Sequence, residues 1–361
     1  MRILLIGPFP DPINGCSYAN SILKKNLVSR GYECKTINTS TKSISSKQGS
    51  NFSFLKALSF LRIYLSLYKV ISAKKIYITP GQTFFGVLKY SPFIVICILL
   101  KKPYIIHVHG NYLGTQFKLL TGFKKHIFKY LLSKASAGIV LSESLRNNFE
   151  EILPDKKIHV VVNFVDDSIF KLEKVKSNDK LRILYLSNLM EEKGILFLLD
   201  SLIELDVLNC DFEATIAGGI ENSIQKEVEE KLEILKHKVK YVGTVQGEEK
   251  NNILISSNVF VLPTYYKMEG QPISILEAMA TGNIIVTTRQ GGIPDVVTEE
   301  NGYFIEPNST SSLKKTLLSI QNEKAEQKAK IQINNIHYAK NTFTEEQFSQ
   351  KIINIINQIK I

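Results

Sequence analysis

Cysteine is scarce in this chain of 361 residues, and no apolar run is long enough to cross a bilayer. The most hydrophobic stretch, Phe93 to Leu100, stops at a pair of lysines. With 44% apolar and 22% charged residues, the composition predicts a soluble globular protein. The cysteines show no metal-ligand spacing, which predicts free thiols in a reducing cytoplasm and supports neither a disulfide framework nor a metal site. They are Cys16, Cys34, Cys97 and Cys210.

The glycine signature GxGxxG of dinucleotide-binding enzymes is also missing from the first loop. This loop, GPFPDPINGCS, follows an opening apolar run that predicts a first buried strand and not a signal peptide. The missing signature disfavours a dehydrogenase. Gly15 in this loop is compatible with a simple turn and equally with the close approach of a phosphate or sugar to the backbone.

Acidic residues are few in the first part of the chain. Residues 1–170 contain 23 basic and 8 acidic residues, a net charge of +15, whereas the remainder carries −4. This asymmetry predicts an anionic partner for the first half, either a membrane surface or nucleic acid. Nucleic acid is not expected, because no binding motif is present and the excess of lysine over arginine is poorly suited to base readout.

Two basic stretches that also contain aromatic and apolar residues account for much of this charge, Asn51 to Lys75 and Phe117 to Lys134. Each is predicted to form a helix. Both patterns fit a helix lying in a membrane interface beside acidic lipids, where each cation contributes roughly 1 kcal/mol. Both patterns fit equally well a helix that buries its apolar face in the core and leaves its lysines in water.

Strand-like and helix-like runs alternate along the chain, which predicts parallel α/β architecture, and the length predicts two domains. We place the first domain at residues 1–170 and the second at 171–340, with a polar linker at Lys171 to Lys180. An amphipathic helix within 341–361 is expected to pack back on the first domain. The strands expected in the first domain are Arg2 to Ile6, Glu33 to Ile37, Lys75 to Ile78, Tyr104 to Val108, Ala137 to Leu141 and Ile158 to Val162.

An apolar strand ends in the run His-Val-His-Gly, at His107 to Gly110. Sites in α/β proteins are built at such strand ends. Strand alternation puts His107 and His109 on the same face. Either is compatible with a core histidine whose hydrogen bonds are satisfied. We prefer His109 as the site candidate because it lies nearest the glycine.

The chain is organised around the stretch EGQPISILEAMATG, from Glu269 to Gly282. Its Gly-x-Pro turn predicts a helix that starts near Pro272, with N-terminal N–H groups and a dipole suited to a phosphate. The spacing of Glu269 and Glu277 is itself uninformative, because three other glutamate pairs share it. The apolar strands predicted on either side make the stretch a strand-loop-helix-strand unit with a site at its loop end, which suggests a sugar nucleotide as ligand.

Together these motifs resemble the retaining glycosyltransferases of family four, glycosyl transferases group 1, of the bacterial polysaccharide-assembly type. The resemblance covers nearly the whole chain. It implies the α/β GT-B fold, in which two Rossmann-like, doubly wound parallel-sheet domains face each other across a cleft. The motifs that carry it are GPFPDPINGCS, HVHG, VVNFVDDSIF, Lys193-Gly194, PTYYKMEGQPISILEAMATG and GGIPDVV.

The resemblance also implies residue roles. Glu269 would hold hydroxyls of the transferred sugar, His109 would lie near the reacting sugar, Lys193 would neutralise the leaving diphosphate, and Glu277 would bind the donor ribose. No cofactor or metal is implied, and no Asp-x-Asp occurs in the chain. The other donor-binding positions it implies are Gly15, Asn188, Thr264, Gly270, Gln271, Pro272 and Ile273.

The implied activity is retaining transfer of a sugar from a nucleotide-sugar to a lipid-linked or oligosaccharide acceptor in the biosynthesis of a surface polysaccharide such as lipopolysaccharide or capsule. The expected location is the cytoplasm, peripheral at the inner face of the cell membrane, with the basic first domain on anionic lipid. Ser187-Asn188 stands where the family commonly has Gly-Arg, so a second cation is missing. A catalytically weak or inactive sugar-nucleotide-binding assembly protein therefore stays open as an alternative, as does a transferase with a soluble acceptor.

Overall fold

The computed structural model describes residues 1–11, 14–40, 62–172 and 180–360. The chain forms two compact units, the first comprising Met1–Asn163 with Glu345–Ile361 and the second Phe164–Thr344. The boundaries expected after residues 170 and 340 thus fall inside the second unit. The physical reason is local: the Val165 N–H donates to the Phe343 carbonyl at 2.7 Å, which ties both ends of the second unit together.

The first unit is built on a six-stranded parallel sheet in the order β2-β1-β3-β4-β5-β6. All six strands expected from the sequence are present. The runs of β3, β4 and β5 are buried along their whole length, as in a parallel sheet covered on both faces. The strands are Arg2–Gly7 (β1), Glu33–Asn38 (β2), Lys75–Ile78 (β3), Tyr104–His107 (β4), Ala137–Val140 (β5) and Ile158–Val160 (β6).

Helices cover this sheet, and their buried side chains join the strands in one apolar core that includes Phe93, Phe128 and Phe149. The helices are Gly15–Ser29 (α1), Tyr68–Ser72 (α2), Phe84–Leu88 (α3), Ser91–Leu99 (α4), Leu113–Leu119 (α5) and Gly122–Ser133 (α6).

The prediction of a single helix over Phe117 to Lys134 is wrong, because the chain forms two helices there, α5 and α6. Thr121 is extended, with ψ of 165°, and Gly122 takes a positive φ of 53°. Such a backbone cannot continue a right-handed helix, so the chain turns between the two. Of the other basic stretch, residues 51–61 lie outside the described part of the chain, as do residues 173–179 of the expected linker.

The second unit has a parallel sheet of the same size, in the order β12-β11-β10-β7-β8-β9. The chain order reverses between β7 and β10, so the carboxyl ends of these two strands mark the crevice where α/β proteins place ligands. The strands are Leu181–Leu186 (β7), Phe212–Ala217 (β8), Val239–Gly243 (β9), Val259–Leu262 (β10), Ile284–Thr287 (β11) and Gly302–Phe304 (β12). The helices are Ile195–Val207 (α7), Gln225–Ile234 (α8), Gly247–Ser256 (α9), Ile273–Ala280 (α10), Thr310–Asn322 (α11) and Ala325–Thr342 (α12). Among the residues described, no helix combines the length and apolar character needed to cross a membrane.

The last helix, Glu345–Gln358 (α13), belongs to the first unit and packs on α1. Its apolar face, which includes Phe348 and Ile352, is buried. Lys75, at the start of β3 and only 5% exposed, donates from Nζ to the carbonyl of Ile356 at 2.6 Å. It thereby satisfies a last-turn carbonyl that has no partner within the helix and places a cation at the negative end of the helix dipole.

Replacement of Lys75 by Met keeps the apolar stem and removes this charged donor. We expect Lys75→Met to lower the free energy of unfolding of the first unit by about 1.5 to 3 kcal/mol, the range for a hydrogen bond from a charged group. Urea denaturation followed by circular dichroism measures the loss. The matched control is Lys25→Met, because Lys25 is 71% exposed where it pairs with α13 and such pairs contribute less than about 1 kcal/mol. Equal losses in both variants would contradict the capping role of Lys75.

Candidate functional site

The residues predicted as a donor site gather at the carboxyl ends of β7 and β10 in the second unit. Thr264 follows β10, and the segment Ser187 to Gly194 follows β7. These two loops are joined by a backbone hydrogen bond from the Tyr265 N–H to the Glu192 carbonyl at 2.8 Å. The sheet thus brings together residues that lie far apart in the sequence.

Lys193 and Glu269 form the first charged pair of this site. Lys193 Nζ lies 2.7 Å from Glu269 Oε2, and the two side chains are 15% and 7% exposed. The hydroxyl of Thr264 donates to the same oxygen at 2.9 Å, and the ring of Tyr266 lies 5.2 Å from the lysine nitrogen. A carboxylate this buried needs such partners, because an unpaired charge removed from water is strongly unfavourable.

Two glycines allow the loops around this pair to approach closely. Gly194 has a φ of 79°, and a Cβ there would lie 2.2 Å from the Pro263 carbonyl oxygen. Gly291, with a φ of 56°, would place a Cβ 2.2 Å from the carbonyl oxygen of Glu269. A side chain at Gly194 would therefore push the Lys193 loop away from Pro263, and a side chain at Gly291 would push its turn away from Glu269. Gly194 and Gly291 thus each have a packing reason to be glycine.

Glu277 and Lys250 form a second charged pair. Glu277 lies on α10 with its side chain 6% exposed, and Lys250 Nζ, from α9, lies 2.6 Å from its Oε1. Burial raises the pKa of Glu277, and Lys250 opposes that effect. Lys250 was not predicted from the sequence, since a lysine among the polar residues of EEKNN has the pattern of a solvated helix face.

The loop before α10 is shaped as the sequence predicts. The helix begins at Ile273, and Pro272 is the extended residue that precedes it, with ψ of 120°. Gln271 is buried, and the Gly270 carbonyl accepts the Gly292 N–H at 2.8 Å. The start of α10 thus follows Glu269 closely in the chain, and the N–H groups at a helix start have the donors and positive dipole charge that suit an anion.

Asn188 is exposed at the end of β7, and its carbonyl oxygen accepts a hydrogen bond from the Tyr185 hydroxyl at 3.0 Å. An amide in this position donates hydrogen bonds but carries no charge. Among the described residues of this site, Lys193 and Lys250 are the cations that contact the two glutamates.

The remaining predicted residues, His109 and Gly15, lie in the first unit, at the carboxyl edge of its own sheet. The rings of His107 and His109 lie on the same side of the strand, as the alternation predicts, with centroids 4.1 Å apart and planes tilted by 31°. His107 is held by the hydroxyl of Tyr77 at Nδ1. Burial lowers the pKa of His109 to about 4, so it is neutral at neutral pH, and its buried Nε2 has no partner among the residues described. Gly15 is exposed in the first turn of α1.

Replacement of Gly194 by Ala tests the close approach that positions Lys193. We expect it to cost more than the roughly 1 to 2 kcal/mol of left-handed strain, because the new Cβ also meets a backbone carbonyl. The control is Gly31→Ala, which has the same φ of 79° and no heavy atom within 4 Å of the point where its new methyl group would lie. Urea unfolding of both variants gives the two costs. A cost for Gly194→Ala no greater than that for Gly31→Ala would rule out the contact.

Comparison with known proteins gives matches over most of the chain. Residues 22–169 match the family model described as Glycosyltransferase Family 4, and residues 180–323 match that of Glycosyl transferases group 1. An uncharacterized glycosyltransferase of Methanocaldococcus jannaschii is 26% identical over 234 residues, which are 60% of this chain and 59% of that protein. The amylovoran biosynthesis glycosyltransferase AmsK of Erwinia amylovora is 28% identical over 179 residues, 48% of this chain and 44% of AmsK. The chain therefore spans about half the length of these relatives.

Among solved structures, HepE of Anabaena in complex with UDP superposes with a TM-score of 0.73. The superposition covers 99% of this chain and 100% of HepE, at 16% sequence identity. A likeness at that identity shows a shared fold.

Proposed function

Because this chain belongs to the glycosyl transferases of group 1 and glycosyltransferase family 4 and has the GT-B fold, we propose that it transfers a sugar from a nucleotide-sugar donor, with retention and without a metal ion. The observation that carries the proposal is the gathering of Glu269, Lys193 and the start of α10 at the switch point of the second sheet. A phosphate-binding helix start beside a paired carboxylate suits a ligand that has both a diphosphate and sugar hydroxyls.

In this proposal the donor lies along the carboxyl edge of the second sheet. Glu277 accepts hydrogen bonds from the ribose, and Glu269 accepts them from the transferred sugar, which we propose to be a hexose. The diphosphate lies between them, at the backbone N–H groups of Gly270, Gln271 and Ile273 and at Lys193; Pro272 has no N–H to donate. HepE, a protein of the same fold, was solved with UDP, which supports a nucleoside diphosphate as the leaving group here.

The reaction we propose is a front-face displacement. The bond between the sugar carbon and the phosphate oxygen breaks, the acceptor hydroxyl oxygen bonds to the same face of that carbon, and the leaving phosphate takes the hydroxyl proton. Lys193 and the start of α10 stabilise the charge that develops on the diphosphate. Glu269 is already bound by Lys193 and Thr264, which supports a role in holding hydroxyls and not the role of a nucleophile.

His109 of the first unit would be a neutral hydrogen-bonding group near the reacting sugar, because its lowered pKa keeps it uncharged. Gly15 would let the first loop approach the donor. These two assignments rest on the resemblance and on their place at the edge of the first sheet.

We further propose that the acceptor is a lipid-linked oligosaccharide of a surface polysaccharide and that the first unit binds the inner face of the cell membrane. The amylovoran relative AmsK supports polysaccharide assembly. Apolar side chains are exposed on helices α4 to α6, of which α6 packs on the other two: Leu99 is 73%, Leu119 65% and Phe123 79% exposed. Lysines lie near each of them in the sequence, and exposed apolar side chains with nearby positive charge are what an anionic bilayer binds.

A second candidate function is a sugar-nucleotide-binding assembly protein with little or no catalysis. Asn188 favours it, because an uncharged residue stands where the family commonly has arginine. Donor binding without turnover on any acceptor, free or lipid-linked, would support this candidate.

A thermal-shift screen with UDP-, GDP- and ADP-sugars tests the proposed function. At about 100 times its dissociation constant, the correct donor should add about 2.7 kcal/mol of stability.

We expect Glu277→Gln to reduce this shift, because it removes the carboxylate that accepts the ribose hydroxyls, whereas Glu269→Gln should retain most of the shift and mainly lower turnover. No shift with any of the three donors would overturn the proposal, and unchanged binding and turnover in both variants would undo the two roles. A covalent sugar adduct trapped on either glutamate would exclude the front-face displacement.

Flotation with vesicles tests the membrane face. At low salt, wild type should bind vesicles that contain phosphatidylglycerol and should bind neutral phosphatidylcholine vesicles much less, because the lysines are attracted to anionic lipid. Raising the salt concentration should also reduce binding, because salt screens this attraction. Replacing Leu99 and Phe123 by Ser should reduce the bound fraction severalfold. The matched control replaces Val207 and Leu208, which are 76% and 57% exposed in the second unit. Equal binding of both double variants, or no binding by wild type, would contradict the proposed face.

A further inference from the structure

We propose that Lys250 is a positioning residue for donor binding, which fixes the carboxylate of Glu277 so that its second oxygen receives a ribose hydroxyl. This inference rests on the proposed function, in which Glu277 contacts the ribose. It assigns a role to a lysine that lies on a different helix, α9, and has no part in the motifs that identify the family.

The two oxygens of the Glu277 carboxylate differ in their contacts. Lys250 Nζ lies 2.6 Å from Oε1 of Glu277, and within the described residues no other side chain or backbone group is hydrogen-bonded to this carboxylate. Oε2 is therefore the oxygen left for a ligand. Glu269 differs, because Lys193 and Thr264 both hold it. Removal of one contact leaves Glu269 with a partner but leaves Glu277 with none.

The two helices that carry the pair are fixed to each other. The side-chain amide of Asn283 donates to the carbonyl of Leu254 on α9 at 3.0 Å and lies 3.3 Å from that of Ala278 on α10. Leu254 is fully buried and follows Lys250 by four residues, so both lie on the face of α9 that is turned inward. The lysine stem is thus directed at Glu277 by the placement of its helix.

Charge gives the pair a second effect. Among the described residues, the charged groups that act on Glu277 are Lys250 and Asp166, and Asp166 adds to burial in raising the pKa of the carboxyl. Lys250 alone acts in the opposite direction and favours the ionised form. An ionised carboxylate can only accept hydrogen bonds. It can therefore accept one from a ribose hydroxyl at either lone pair of the oxygen.

The experiment compares UDP with 2′,3′-dideoxy-UDP by isothermal titration calorimetry, with GDP and ADP titrated on wild type as well. We expect Lys250→Met to weaken UDP binding about tenfold, the effect of losing one charge-assisted hydrogen bond. The weakening should be larger near pH 6 than near pH 8, because without the ammonium group the buried carboxyl takes up a proton more readily. Dideoxy-UDP should bind wild type and Lys250→Met with the same affinity, since it has no hydroxyl for Glu277.

Two further variants separate this role from a structural one. Lys250→Arg keeps the charge and should retain most of the affinity for UDP. Lys314→Met, which breaks a lysine–glutamate pair of 2.6 Å with Glu204 elsewhere in the second unit, should leave UDP binding unchanged. If Lys250→Met does not fold, Lys250→Gln carries the same comparison.

Two results with Lys250→Met, or with Lys250→Gln in its place, would overturn the role of Lys250 while leaving the proposed function in place. One is an equal loss of affinity for UDP and dideoxy-UDP, and the other is an unchanged affinity for UDP. Failure of wild type to bind UDP, GDP and ADP would overturn the proposed function, and the role of Lys250 with it.

Discussion

A carboxylate held out of water is stable as an ion only when a cation or several donors face it, and the second unit has two such carboxylates at one edge of its sheet. Glu269 and Glu277 are each less than a tenth exposed, and each is paired with a lysine from a different element. The loops, the left-handed glycines and the start of α10 can be understood from this requirement. They bring Lys193 within hydrogen-bond distance of Glu269.

The first unit has uncharged histidines, and not paired ions, at the carboxyl edge of its sheet. His107 is buried and the neighbouring His109 is half-buried, and because desolvation lowers the pKa of both, neither carries a charge at neutral pH. Part of the positive charge of this half of the sequence lies on its helices, as at Lys118 and Lys124. The two halves therefore separate their chemistry: paired ions at the sheet edge of one, and neutral rings at the sheet edge of the other.

Much of the fold could be predicted from the sequence because parallel strands buried on both faces are continuous apolar runs with sharp ends, as in β3, β4 and β10. The start of α10 near Pro272 was likewise predicted by a local rule. The break between α5 and α6 was missed because it depends on the conformation of Gly122, and apolar periodicity continues through it. Lys250 was missed for a stronger reason: its partner lies on another helix, and no spacing within one segment indicates a contact that only the packing of two helices creates.

The position of α13 has a consequence for the order in which the protein folds during synthesis. The second unit is one continuous stretch, whereas the first lacks α13 until residues 345–361 have been made. Domains fold as units while the chain emerges from the ribosome. The strand core of the first unit is therefore translated first but finished last, with Lys75 and the outer face of α1 exposed to water until the final helix arrives. A chain that stops after Thr344 contains the whole second unit but lacks the helix that completes the first unit.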